Sequence, residues 1–197
     1  MKTAPAQIVP VSIDMSTLVR RSVASLYSHL VTRPTGQALR LGIESQLAEL
    51  GELCVSILDF TQVVVLDYSC ADEAVAKLIL RYQRDDRPAE VFFIARGVAE
   101  QHLEPIEAVL QRHQLLLVAD VLDSGFQLIG NVSEHERRTW HTVQDLGYAN
   151  TREIAERTDC DESDAAGVLD GLARRRAVLR HAELPTYCAL SALLAPA

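Results

Sequence analysis

Short, almost wholly apolar runs recur along this chain with amphipathic stretches between them, and that alternation limits the folds open to it. The runs are residues 54–60, 91–94 and 115–118. Each is bounded by polar turns and is shorter than a typical buried helix, so each reads as a strand buried in the core. Between the first two, Ala71, Ala74, Val75, Leu78, Ile79 and Tyr82 recur at helical spacing, the strongest such pattern in the chain. Leu39, Ile43, Leu47 and Leu50 line one face of an earlier helix, with Gly51 in the stop position. Leu103, Ile106, Leu110 and His113 mark a later helix, in which Pro105 is tolerable only in the first turn. Strand, helix, strand, helix, strand with short links predicts an α/β fold, with a mainly parallel sheet and right-handed crossovers.

Flanking segments extend this frame. Residues 7–13 read as an edge strand, because Pro10 removes a ladder donor. Residues 16–30 fit a helix or a strand equally, and Pro34-Thr35-Gly36 breaks whatever precedes it. Residues 63–66 either continue the strand before them or form a second short one. Residues 121–131 supply one last strand, with Phe126, Leu128 and Gly130 on one face.

A second unit opens at Ser133-Glu134-His135-Glu136, a capping-box pattern. Trp140, Val143 and Gly147 follow on that helix's inner face. Thr151 to Ala155 starts a short helix, Asp159-Cys160-Asp161 is a turn, and Ala165, Val168, Leu169 and Leu172 define a third helix. Residues 177–180 and 186–190 flank Glu183-Leu184-Pro185 as a hairpin. Helix, helix, turn, helix, hairpin is the order of a small C-terminal winged helix. The expected division is an extension over residues 1–31, the α/β layer over 32–131 and the winged helix over 132–197.

Composition narrows the function. A net charge of −8 argues against general polyanion binding. Cys54, Cys70, Cys160 and Cys188 form no C-x-x-C pair and read as reduced thiols of a cytoplasmic protein. No secretory leader and no membrane-spanning run is seen in the sequence. The six histidines make no ligand set; His135 and His141 miss the spacing that shares a helix face. Asp59 with Asp67 could hold a divalent cation, but acids at strand ends are more often turn chemistry. Asp59 also invites a phospho-acceptor receiver, which fails because Ala119-Asp120 stands where a lysine is needed. With no nucleophile–base assignment and no glycine-rich phosphate loop, the expectation is no enzyme, no cofactor and no metal.

The stretch from Leu58 to Glu73 is where a switch is easiest to place. An apolar strand runs to an acidic turn, Asp67-Tyr68, and Ser69 follows at the start of the helix, where unpaired N–H groups favour a phosphate. Ser69 with Asp72 is also a capping signature in its own right, with Asp72 and Glu73 complementing the helix dipole. A phosphate on Ser69 would gain the helix amides yet face Asp67, Asp72 and Glu73, which suits ejection of a partner.

Leu58-Asp59-Phe60-Thr61, residues 63–66, Asp67 to Glu73 and Thr32-Arg33-Pro34-Thr35-Gly36 together resemble the STAS superfamily, specifically the STAS-like domain found beside histidine-kinase-type ATPases. That resemblance implies an anti-sigma-factor-antagonist type of protein. Its Ser or Thr at this turn is phosphorylated by a partner kinase, and phosphorylation ends binding. Carried to this chain, the acceptor is Ser69 and the turn acid is Asp67. Tyr68, Cys70, Ala71, Asp72 and Glu73 depart from the usual pattern. Ile154-Ala155-Glu156-Arg157-Thr158 and residues 163–176 resemble the second and third helices of a winged helix-turn-helix domain.

The expected function is therefore a non-catalytic regulatory protein that binds another protein, such as a histidine-kinase-type ATPase or an anti-sigma factor, through Asp67, Tyr68, Ser69, Asp72 and Glu73. A homodimer is compatible with it. The alternative is a DNA-binding transcriptional regulator whose α/β domain is the sensor. Its contacts would be Arg174, Arg175, Arg176 and Arg180, but the start of the third helix carries Asp159, Asp161, Glu162 and Asp164, and residues 133–197 hold 8 Lys+Arg against 11 Asp+Glu.

Overall fold

The computed structural model of the protein describes residues 9–14, 29–49, 53–181 and 185–194. Most of the expected extension, together with Leu50 and Gly51, lies outside the described residues.

Five strands form the main sheet: β1 (Val9–Asp14), β3 (Leu53–Asp59), β5 (Glu90–Val98), β6 (Leu116–Val121) and β7 (Gly125–Gly130). They lie in that order. The pairings β1–β3, β3–β5 and β5–β6 are parallel, and β7 returns antiparallel to β6. The chain is thus α/β, and β1 sits at an edge as Pro10 requires. A separate two-residue ladder joins β2 (His29–Leu30) to β4 (Val65–Leu66), so residues 63–66 contain a second short strand.

Sequential parallel strands need crossovers, and three helical segments supply them. These are α1 (Arg33–Ala48); α2, built from Tyr68–Ala71, a π turn at Asp72–Ala76 and Lys77–Gln83; and α3 (Glu100–Arg112). All three bury their apolar stripes in one cluster with Cys54, Leu58, Val91, Phe93, Leu117 and Ala119 of the sheet. The other sheet face, with Val55, Phe92, Ile94, Leu116, Val118 and Leu128, packs on the C-terminal unit. Residues of both parities in β5 and β6 are buried for this reason, which accounts for their unbroken apolar runs.

The C-terminal unit runs α4 (Glu134–Leu146), β8 (Tyr148–Asn150), α5 (Thr151–Thr158), α6 (Glu162–Arg174), β9 (Val178–Arg180) and β10 (Thr186–Ala189). Its small sheet is antiparallel with β10 between β8 and β9, the hairpin of the expected wing. The Ser133 capping box forms: Glu136 N–H donates to Ser133 Oγ at 3.2 Å, and Ser133 N–H to Glu136 Oε2 at 2.8 Å. Gly147 does not continue the inner face of α4; with φ of 73° it ends the helix. Pro105 also departs from expectation. It lies inside α3 and not in its first turn, because α3 begins at Glu100, where Ala99 N–H donates to His102 Nδ1 at 3.3 Å.

Candidate functional site at the rim of the sheet

The carboxyl ends of β3 and β5 and the start of α2 make one rim, where a parallel sheet ordinarily presents ligand-facing groups. Asp59 ends β3. Its Oδ1 accepts from Thr61 N–H at 3.0 Å and Thr61 Oγ at 2.7 Å, and its other oxygen pairs with Arg96 of β5. Burial acts to raise the Asp59 pKa, but Arg96 and Thr61 outweigh it and hold the carboxyl below its ordinary value. Both oxygens are committed to turn and ion-pair contacts. Among the described residues no group of three or more His, Cys, Asp or Glu is placed to hold a metal ion.

Asp67 is the true cap of α2. Its Oδ1 accepts from Cys70 N–H at 2.6 Å and Ser69 Oγ at 2.9 Å, and its Oδ2 accepts from Thr32 N–H at 2.8 Å. Burial opposes ionisation, and the Thr32, Cys70 and Ser69 bonds overcome it, so the Asp67 pKa is lowered. The capping reading of Ser69 with Asp72 is corrected accordingly. The helix starts one residue after Asp67, which leaves Ser69 in the first turn with its hydroxyl half-buried and donated to the cap.

Asp72 and Glu73 are corrected as well. They are not surface acids: only 5% and 4% of their area is exposed. Arg33 Nη1 donates to Asp72 Oδ2 at 2.9 Å and Glu73 Oε1 at 2.7 Å, and Lys77 Nζ pairs with Glu73. His113 Nε2 lies 2.7 Å from Asp72 Oδ1, and Arg40 lies 3.6 Å from Glu73. Burial would raise both acids. The His113 and Arg33 bonds to Asp72, and the Lys77 and Arg33 bonds to Glu73, prevail and lower both pKa values. The cluster ties α1, α2 and the end of α3 together across the π turn, whose wider coil brings the two adjacent acids inward. Gly36 permits the approach, since a Cβ there would lie 2.7 Å from Cys70 O and 2.9 Å from Glu73 Cβ. Cys70 itself is inert, because burial first and then Asp67 and Glu73 push its thiol up to about 12.

Of the expected contact residues, Tyr68 is the one that faces water. It is exposed, and its hydroxyl donates to Glu104 of α3 at 2.8 Å. Val64 and Val65, expected only as part of a short strand and not as contact residues, are exposed as well. Three exposed apolar side chains thus stand within five residues of the chain, just before Ser69. The signal in the sequence is the run of three consecutive valines at residues 63–65, which departs from the alternation a half-buried segment shows.

The arginines separate into two groups. Arg175 pairs with Glu136 at 2.8 Å and donates to the Asn131 carbonyl, while Arg176 pairs with Glu90 at 2.7 Å and lies 5.3 Å above the Phe92 ring. Both therefore join the C-terminal unit to the sheet or its flanking loops. Arg174 and Arg180 are exposed, with Arg180 paired to Asp170 at 3.2 Å. At the other end of α6, Asp161, Glu162 and Asp164 are exposed where base edges would be met. No described helix is long and apolar enough to cross a membrane. Comparison of the chain with protein-family models and with curated proteins finds no match to either.

Proposed function

We propose that this chain is a non-catalytic regulatory protein that binds a second protein through the rim formed by Val64, Val65, Tyr68 and Ser69, with affinity set by phosphorylation of Ser69. The resemblance to the STAS superfamily suggests the partner's class, an anti-sigma factor or a histidine-kinase-type ATPase of a bacterial cytoplasm. The observation that carries the proposal is the exposed apolar trio just before a hydroxyl on a helix start, the hydroxyl being donated to the helix cap. Exposed apolar residues set in a polar surround are a common mark of protein contact. The frame beneath is stiff, because Asp67, Arg33, Asp72 and Glu73 lock α2 to α1. A charge added at Ser69 would therefore alter the contact face without unfolding the core.

A phosphate at Ser69 would displace its bond to Asp67 and set about −1.5 to −2 charges beside that carboxylate. Repulsion against a partner's apolar face makes the modified form the released one. The test is quantitative recovery of a partner from the native host on immobilised protein. Wild-type protein retains it; Tyr68→Ala and Ser69→Asp lose it; Arg152→Ala, on the far C-terminal unit, keeps it. Equal recovery by all four would remove the rim from the function.

A further inference from the structure

A cleft of about 820 Å³ lies between the α/β unit and the C-terminal unit, away from the rim. Its volume falls within the roughly 300–1,000 Å³ of small-ligand sites. Four arginines line it: Arg87 from the loop before β5, Arg174 at the end of α6, Arg176 in the turn after it, and Arg180 from β9. Such convergence is unusual in a chain of net charge −8, and the guanidinium groups repel one another unless anions stand between them.

Carboxylates of the protein answer part of this charge. Glu90 pairs with Arg87 and Arg176, and Asp170 accepts from Arg180 at 3.2 Å and from Tyr187 Oη at 2.7 Å. Two donors are left over. Arg174 meets no carboxylate among the described residues; its Nε donates only to the Asp170 carbonyl at 3.3 Å. Arg176 is more telling. Its side chain is 9% exposed, and its buried Nε has no hydrogen-bond partner among the described residues. An unmet buried N–H is costly. Arg176 also holds a left-handed backbone, φ 61°, where glycine would be the unstrained residue. Two separate costs, one of backbone and one of side chain, thus fall on one residue in the wall of one cleft.

We propose that the cleft binds a small phosphate-bearing molecule, no larger than a mononucleotide, with its phosphate held by Arg174 and Arg180 and with the Glu90-paired Arg176 forming the wall beneath. The planar guanidinium fork matches phosphate oxygens, and a dianion with several oxygens suits donors arriving from two elements at once. Asp85, also in the lining, opposes any anion and sets an upper limit on affinity. Because both units supply the walls, an occupied cleft also braces the wing against the loop before β5.

Calorimetric titration of the full chain at low ionic strength, with inorganic pyrophosphate and then inorganic phosphate as probes, tests this. Saturable one-to-one binding is expected, weakened about tenfold or more by Arg174→Ala. Asp85→Asn should tighten it, a sign that damage to the fold cannot mimic. Arg152→Ala, another exposed arginine, should leave it unchanged. Absence of saturable heat from either probe at millimolar concentration overturns the proposal. So does equal weakening by Arg152→Ala and Arg174→Ala, or no tightening in Asp85→Asn.

Discussion

Replacing Glu73 with glutamine tests the buried charge cluster that holds the rim in place. The substitution keeps the side chain's shape and removes its charge. It weakens the 2.7 Å bond from Arg33, the bond from Lys77 and the 3.6 Å approach of Arg40. Two charge-assisted bonds at about 1.5–3 kcal/mol each set a ceiling near 3–6 kcal/mol. Arg33 and Lys77 are 50% and 39% exposed, so water screens both and takes up both when they are freed. The expected loss is therefore about 2–3 kcal/mol, or roughly 4–12 °C in Tm for a chain of this size. Urea unfolding followed by far-UV circular dichroism measures it, with Arg152→Ala as a surface control expected to change stability by no more than about 0.5 kcal/mol.

A pH series sharpens the test. The Asp72 and Glu73 pKa values are lowered in the fold, so the unfolded chain binds more protons near their unfolded values, about 4. Stability is then fully present above that pH and is lost as pH falls through the lower folded values. Glu73→Gln should show a shallower loss below about pH 4 than wild type. A Glu73→Gln protein within about 0.5 kcal/mol of wild type, with an unchanged acid limb, would refute the claim that this cluster locks α1 to α2.

Other consequences are as specific. Gly36→Ala should cost about 1–3 kcal/mol in the same unfolding assay, since the new methyl meets backbone atoms of Cys70 that have little room to retreat. Asp67→Ala should cost about 1–2 kcal/mol by removing the cap of α2 and the acceptor for Thr32 N–H, whereas Ser69→Ala should cost less than half of that. Arg176→Ala keeps the left-handed backbone but loses the Glu90 and Phe92 contacts, so fluorescence of the single tryptophan, Trp140, should report unfolding of the C-terminal unit at lower urea than circular dichroism reports for the whole. Coincident transitions in that variant would show that Arg176 is not needed to couple the units. A gel-shift titration with random duplex DNA should show no salt-sensitive binding, because Arg175 and Arg176 are internally paired and α6 begins with exposed acids.

Much of the fold was legible from periodicity alone. The apolar runs at β3, β5 and β6, the stripe of α2 and the capping box at Ser133 each rest on local chemistry, and local chemistry is what a sequence displays. The misses share the opposite character. Ser69 with Asp72 looks like the cap, but the role falls to Asp67, whose second oxygen also accepts from Thr32, 35 residues earlier. Asp72 and Glu73 look like surface acids at a helix start because all their cations but the nearby Lys77 are remote: Arg33 and Arg40 on α1 and His113 at the end of α3. Pro105 lies beyond the first turn in which alone it was expected to be tolerable, because α3 begins at Glu100 on an Ala–His contact, and that pair is no recognised starting signal. The role of Arg175 and Arg176 depends on the C-terminal unit lying on the sheet's second face. The wholly apolar pattern of residues 91–94 demanded some cover there without saying which segment provides it.

Phosphopeptide mapping of the protein isolated from its native host bears most directly on the proposed switch. The account expects phosphate on Ser69, in a fraction that falls when the chain is recovered already bound to its partner. Full coverage of the Val63–Lys77 stretch with no phosphate on Ser69 under any growth condition, or equal phosphate in free and partner-bound protein, would contradict it.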